Sequence, residues 1–444
     1  MAVGMSTQAR TSSAVRILIC MALLRMALYE DAGRRAHTIH RRREPLVTKS
    51  SSPVKAPPGT VLVVGGGVFG VSAALELKRR GWSVRVLDPG PVPHPGAAST
   101  DVSKVVRMDY GDDRFYHELG ELALDGWDRW NRDWPRPLYH EDGFLILAPS
   151  LMAAGGYEHD SYEVLKSRGF TPARLDESHR TLRYPEWDMT RYPDGYFNPR
   201  AGWAESGAVV ERLAELCLNA GVTFSVGALE ELMSEGSVVR GVVTTEGHRI
   251  EADRVVVAAG AWTPTLLPWL TDVLRSTGHP VLHFQVDDPD AYRGDGFPPW
   301  AADISGSGWY GFPALPNGRV KVAHHGMRPP VHPDARGTVS EDHEARTRAF
   351  LRQSIPRLAE APIVHRRICM YCDSYDGDLF IAEDPAREGL MVASGGSGHA
   401  FKFAPVLGAI VADVLEERDN RFASRFAWRR LGRVKTEQAR YTGA

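Results

Sequence analysis

"TVLVVGGGVFGVSAALELKRRGWSVRVLDPG", residues 60–90, decides the fold of this chain. Its first five residues form a short apolar run that reads as a buried strand. Gly65, Gly67 and Gly70 follow at the spacing G-x-G-x-x-G. Residues 71–80 have the composition of a helix, Gly81 closes it, and "SVRVLD" reads as a second strand ending at Asp88. In that order each glycine has a physical task. Gly65 permits a tight turn, Gly67 lets the backbone approach a pyrophosphate, and Gly70 lets the helix pack on the strand. Free N–H groups at the helix N-terminus favour phosphate. Asp88 stands where a carboxylate meets ribose hydroxyls. A lone glycine fingerprint is a weak signal; strand, helix, strand and acid together predict a dinucleotide site.

Around this unit the chain is 444 residues long, with 43% hydrophobic and 24% charged residues and a formal charge of −2. Those values suit a globular body and give no overall pull toward nucleic acid or a membrane surface. The charge is unevenly spread: residues 1–58 carry ten Lys/Arg against three acids. "ILICMALL" (17–24) is too short to span a bilayer, and Arg16 and Arg25 bracket it. Residues 1–58 therefore read as a disordered extension, with an organelle-targeting leader as the alternative, and "KSSSPVKAPPG" (49–59) reads as a linker. Four cysteines (Cys20, Cys217, Cys369, Cys372) make no disulfide framework, and the single C-x-x-C at Cys369 and Cys372 lacks a second pair for zinc. A cytoplasmic location, no metal and a monomer are expected.

Far downstream, "EADRVVVAAGAWTP" (251–264) is an acid-led apolar strand running into Ala-Gly-Ala-Trp. It suits a strand that returns to the nucleotide domain and passes near the cofactor. No second phosphate fingerprint appears, so the site favours FAD over a separately bound NAD(P).

Four further stretches are specific: "ASTDVSKVVRMDYGD" (98–112), "WYGFPALPNGRVKVAHH" (309–325), "CMYCDSYDGDLFIAED" (369–384) and "SGGSGHAFKFAP" (394–405). On them the chain resembles the FAD-dependent amine oxidoreductases of the D-amino-acid-oxidase superfamily. The resemblance is strongest to the monomeric sarcosine, pipecolate, saccharopine and fructosyl-amino-acid oxidases and covers residues 60–417. It implies an α/β (α+β) fold, with a Rossmann-type FAD domain interleaved with a substrate domain on a mixed, largely antiparallel sheet. The expected FAD segments are 59–110, 205–265 and 365–417, and the substrate segments 111–204 and 266–364; residues 421–444 are expected to form a C-terminal tail. "GFLILAPS" (143–150) and "GRVKVAHH" (318–325) read as strands of the substrate sheet, and residues 209–221 as a helix of the nucleotide part ended by Gly221.

By the same resemblance Cys369 carries FAD through a thioether. From the residues alone it reads rather as a buried structural thiol or half of a redox pair. Arg107 and Lys402 match the carboxylate-binding pair. A substrate carboxylate brought into an apolar pocket needs fixed cations, since burying it unpaired is costly. Phe401 and Phe403 around Lys402 suit that role better than a surface lysine, whereas Arg107 alone also reads as a satisfied ion pair. Lys321 matches the lysine that activates oxygen; a solvent-facing strand lysine is its plain alternative. Tyr310, Tyr371 and His325 match positions lining the substrate pocket and also suit core packing. Gly395, Gly396 and Gly398 would let backbone pass close to the flavin, with the following helix aimed at it through Val406, Ile410, Val411 and Val414 packing on the core. His399 either touches the cofactor or fills space. Lys104 departs from the sarcosine enzymes, which have arginine there, and agrees with the sugar-amine branch. The implied reaction is hydride transfer from the carbon beside a neutral secondary amine to FAD, giving an imine, then reoxidation by oxygen to hydrogen peroxide; a dehydrogenase with another acceptor, or a non-catalytic flavoprotein subunit, is the alternative.

Overall fold

The strand Thr60–Val64 lies inside a six-stranded sheet of order 380–383, 390–394, 254–257, 60–64, 83–88, 223–226. All neighbours pair in parallel except the edge strand Phe380–Glu383, which runs antiparallel to Leu390–Ser394. The computed structural model describes residues 59–176, 180–430 and 437–443; the extension expected at residues 1–58 lies outside them.

Side chains alternate across a strand, so an unbroken apolar run divides between two cores. Val61 and Val63 face one core with Val71 and Ala74 of the helix Val68–Arg79, Val209 and Leu213 of Ser206–Asn219, and Ile410 and Val411 of Ala404–Leu415. Leu62 and Val64 face the other, with Leu229, Val239 and Val242 of a three-stranded sheet, 229–251. Helices thus cover one face and a small antiparallel sheet the other.

The first helix begins at Val68, three residues before the composition suggests, because Gly67 is its N-cap and the Val71 N–H donates to the Gly67 carbonyl at 3.0 Å. In the last helix Ile410 and Val411 are fully buried, while Val406 and Val414 are only half-buried.

A second, eight-stranded sheet has the order 363–374, 274–285, 319–324, 309–311, 300–302, 144–148, 194–198, 173–174. Its pairs are antiparallel except 144–148 with 300–302. Both expected strands, Phe144–Ala148 and Arg319–His324, belong to it. Strand parity again sorts the residues: Val320 and Val322 enter a core with Leu282, Phe284, Ile368 and Met370. The opposite face carries Lys321, with His283 paired across from it, Tyr310 paired with Ala323, and Cys369 and Tyr371 paired with His279 and Thr277. That polar face meets the nucleotide-binding part. Among the described residues no helix is long and apolar enough to cross a membrane.

Candidate active site

A cavity of about 550 Å³ opens at the C-terminal ends of the parallel strands. Gly65, Gly67 and Val68 line it with Asp88, Lys104, the turn 258–262, Tyr371, Cys372, Gly396 and Gly398. A Cβ at Gly65 (φ +108°) would lie 2.5 Å from the Ala258 carbonyl oxygen, and one at Gly70 1.8 Å from the Gly65 carbonyl oxygen. Gly70 thus acts beneath the turn rather than on the cavity wall. At Gly67 a Cβ would meet only Ser99 Oγ, at 3.4 Å, and would fill cavity space. The first helical turn holds no acid and Gly67 provides no side-chain cap. Asp88 is buried; its Oδ2 accepts from the Gly66 N–H at 2.7 Å and its Oδ1 from the Gly90 N–H at 3.1 Å. The helix start, where the Val68 N–H donates to Ser99 Oγ at 3.3 Å, with an open glycine cradle and a buried acid at the second strand's end, forms a donor and acceptor set that fits a dinucleotide.

Gly398 (φ +77°) lies so close to the Tyr371 ring that a Cβ would be 2.4 Å from it, so the 396–398 turn and the strand Ile363–Ser374 close the cavity together. Gly395 stands behind the wall, against the Phe380 backbone. Cys369 is fully buried just behind the wall formed by Met370, Tyr371 and Cys372, with Sγ 3.9 Å from both Lys104 Nζ and the Ala98 carbonyl oxygen. Burial pushes the Cys372 thiol up to about 11.

Two cation clusters flank this cavity. In one, Lys321 Nζ lies 2.6 Å from Asp101 Oδ2 and donates to the Ser103 carbonyl at 2.6 Å, while Lys104 Nζ reaches the same Asp101 oxygen at 3.0 Å. Burial pushes Lys321 down to about 8, with Asp101 opposing the shift. Burial works to raise Asp101, yet Lys321, Lys104 and Arg367 hold it well below the usual carboxylate range. Tyr310 and Tyr371 face each other, hydroxyl to hydroxyl at 3.4 Å, and the Tyr371 ring stacks on His279 with centroids 3.9 Å apart. Burial raises both phenols.

In the other cluster Arg107 and Lys402 stand over a single ring: Arg107 Cζ is 4.9 Å and Lys402 Nζ 5.1 Å from the Tyr110 centroid. Both side chains are buried. Lys402 occupies the short turn Ala400–Phe403 before the last helix, where the Trp127 indole N–H donates to its carbonyl at 2.8 Å. Its Nζ donates to Tyr110 Oη and to the His399 carbonyl, both at 2.9 Å. Burial first, then the neighbouring Arg107 charge, drives the Lys402 ammonium well below its ordinary value. The Arg107 guanidinium donates to the Asp109 carbonyl. His399 contacts Tyr110 Oη at 2.9 Å and the Gly377 carbonyl at 2.8 Å, and burial lowers it to about 4. His325 lies edge-on to Tyr310 and meets the carboxylate of Glu437.

Several residues of the site carry no obvious mark in the sequence. Asp101 sits three residues before Lys104, and its pairing with Lys321 spans 220 positions. Tyr110 follows Arg107 by three residues and could have been suspected as a short-range partner. Glu437 and Arg440 fall in a polar stretch that reads locally as a solvated tail.

The chain is similar to monomeric sarcosine oxidase of Bacillus sp. strain B-0618, 25% identical over 361 residues, which are 80% of this chain and 91% of that protein. It is also similar to N-methyl-L-tryptophan oxidase of Salmonella arizonae, 27% identical over 372 residues covering 82% and 96%. Among solved structures, fructosyl amine:oxygen oxidoreductase (Amadoriase I) from Aspergillus fumigatus superimposes with a TM-score of 0.73 at 26% identity, over 88% of this chain and 95% of that one. The FAD dependent oxidoreductase (DAO) family model matches residues 60–414, and with the cavity and glycine turn described above this chain belongs to that family.

Proposed function

We propose that this chain is an FAD-dependent oxidase of secondary-amine amino acids, of the sarcosine or N-methyl, pipecolate-like or fructosyl amino acid class, with oxygen as acceptor and hydrogen peroxide as product. The observation that carries the reading is the pair of buried cations over the Tyr110 ring, beside a dinucleotide-sized cavity. Two like charges placed out of water gain little from each other, and a carboxylate arriving between them supplies what both lack. Arg107 offers its planar fork and Lys402 a point charge. Bound FAD would take hydride from the carbon beside the nitrogen and pass the electrons to oxygen.

The remaining residues have separate tasks in this reading. Lys321, buried and held by Asp101, supplies positive charge where oxygen is reduced. Tyr310, Tyr371 and His325 form the wall that the amine meets. Cys369 is the attachment point for FAD, buried behind the cavity wall with its Sγ 3.9 Å from Lys104 Nζ. The relatives' names support the secondary-amine class, since sarcosine, N-methyl-L-tryptophan and fructosyl amines share that group.

The direct test is peroxide release in air from the flavin-loaded protein offered sarcosine, N-methyl amino acids, L-pipecolate, L-proline, saccharopine and fructosyl-valine. A strong response to one member identifies the branch. Flavin reduction by a substrate without peroxide would replace the oxidase with a dehydrogenase. Acid precipitation tests Cys369: yellow colour should stay with the wild-type protein and pass to the supernatant for Cys369→Ser.

A further inference from the structure

The C-terminal segment 437–441 enters the substrate side of the site. Its backbone is fastened there: the Tyr441 N–H donates to the His325 carbonyl at 3.1 Å, and the Met327 N–H donates to the Tyr441 carbonyl at 2.9 Å. Arg440 is buried and pairs with Asp373 at 2.7 Å, on the strand that carries Cys369 and Tyr371. Gln438 donates to the Gly155 carbonyl at 3.2 Å. These contacts deliver Glu437 into the interior, where its side chain is only 9% exposed.

One carboxylate oxygen of Glu437 meets His325, and the other is buried without a hydrogen-bond partner among the described residues. Burial works to raise the carboxyl pKa, yet the surrounding His399, His325 and Arg107 hold it well below the ordinary range, so it is an anion. The neighbouring Gln438 packs where a Cβ at Gly111 would lie 1.8 Å from its Oε1 and 3.6 Å from the Tyr157 ring, over which Arg107 Cζ stands at 5.9 Å, and the Glu437 charge acts on both Arg107 and Lys402. Asp109 is the other acid near those cations, and its carboxylate is engaged by Tyr196 Oη at 2.7 Å and Asn198 Nδ2 at 3.0 Å. A buried, half-satisfied anion among Arg107, Lys402 and His399 has the chemistry of an amino-acid substrate's carboxylate.

We propose that Glu437 is a specificity-determining residue: it is the resident counter-anion of the Arg107–Lys402 pair, which a substrate carboxylate must displace or tolerate. The inference rests on the carboxylate-anchor reading above. Its consequence is a selectivity that the anchor alone does not give. With segment 437–441 seated, one anion already offsets part of the pair's charge, so amines whose carboxyl group is absent, esterified or in peptide linkage at that position are favoured over free amino acids. Free amino acids bind against the like charge of Glu437.

The test uses the full-chain holoenzyme and acetate as a simple carboxylate probe, with affinity read by calorimetry. Acetate should bind at least tenfold more tightly to Glu437→Gln and to Glu437→Ala than to the parent. In an Arg107→Gln background the Glu437 substitution should give no such gain. In the parent, acetate should also speed tryptic cleavage after Arg440 severalfold by unseating the segment, an effect absent from Arg107→Gln. Unchanged or weaker acetate binding in both Glu437 variants, with Arg107→Gln weakening it, overturns this proposal and leaves the anchor standing. Acetate binding indifferent to Arg107→Gln overturns the anchor itself, and this inference with it. Should Glu437→Ala fail to fold, Glu437→Gln, which keeps the packing, decides alone.

Discussion

Lys321 is the residue whose chemistry is most tightly set by its surroundings. Its ammonium, with a pKa of about 8, is charged below that pH and neutral above it. If positive charge there promotes reoxidation, oxygen uptake by substrate-reduced enzyme should be fast below pH 8 and fall as pH rises through that value. Asp101 opposes the downward shift, so Asp101→Asn should move the fall to lower pH; stopped-flow reoxidation across pH reads both. Lys321→Met should slow reoxidation by roughly 10²–10³-fold while anaerobic reduction is retained. At the anchor, loss of a hydrogen bond to a charged group costs about 1.5–3 kcal/mol. Arg107→Gln should therefore raise KM for a carboxylate substrate roughly ten- to hundredfold. An equal fall in kcat at unchanged KM would argue that Arg107 does not hold the ground-state carboxylate. Residues of this kind were visible in the sequence where charge stood in an apolar setting, as Lys402 does between Phe401 and Phe403. Asp101 and Glu437 were not, because their significance arises only from partners brought close by the fold.

Among elements, the opening strand–turn–helix was legible because its signals are local: three glycines, one apolar run and an acid within a single unit. The helix start was misplaced by three residues, since Gly67 acts as a cap within the fingerprint itself. At Gly70 the added carbon of alanine would overlap the Gly65 carbonyl. Gly70→Ala should consequently yield folded protein with little retained FAD, measured as the ratio of flavin to protein absorbance; full retention would show that the turn can shift. Of the eight-stranded sheet, the strands Phe144–Ala148 and Arg319–His324 were legible, but not the register that joins the sheet. Thr277 faces Tyr371 and His279 faces Cys369, and no local pattern encodes pairings between strands so far apart. Yet that register sets Cys369 beside Lys104, and strand parity turns Lys321 away from the Val320–Val322 core.

For the whole molecule, the cavity wall is gathered from stretches near residues 65, 88, 104, 260, 371 and 397. A bound dinucleotide therefore ties distant parts of the chain together. In Cys369→Ser, whose flavin should exchange, FAD at a thousand times its Kd should stabilise the fold by about 4 kcal/mol. Differential scanning calorimetry of apoprotein and reconstituted protein should show a higher Tm with FAD, and no shift would mean that the cavity does not organise the body. The Tyr110 cluster has a different consequence for the molecule. Burial and the Arg107 charge loosen the hold of Lys402 on its proton, and a carboxylate paired with it tightens that hold again. An amino acid arrives as a zwitterion whose amine must lose a proton before it can be oxidised. The two demands are opposite in sign: a zwitterion's amine gives up a proton while its carboxylate strengthens the site's hold on one. A plain carboxylate has no proton to surrender, so its heat of binding should vary with the ionisation enthalpy of the buffer.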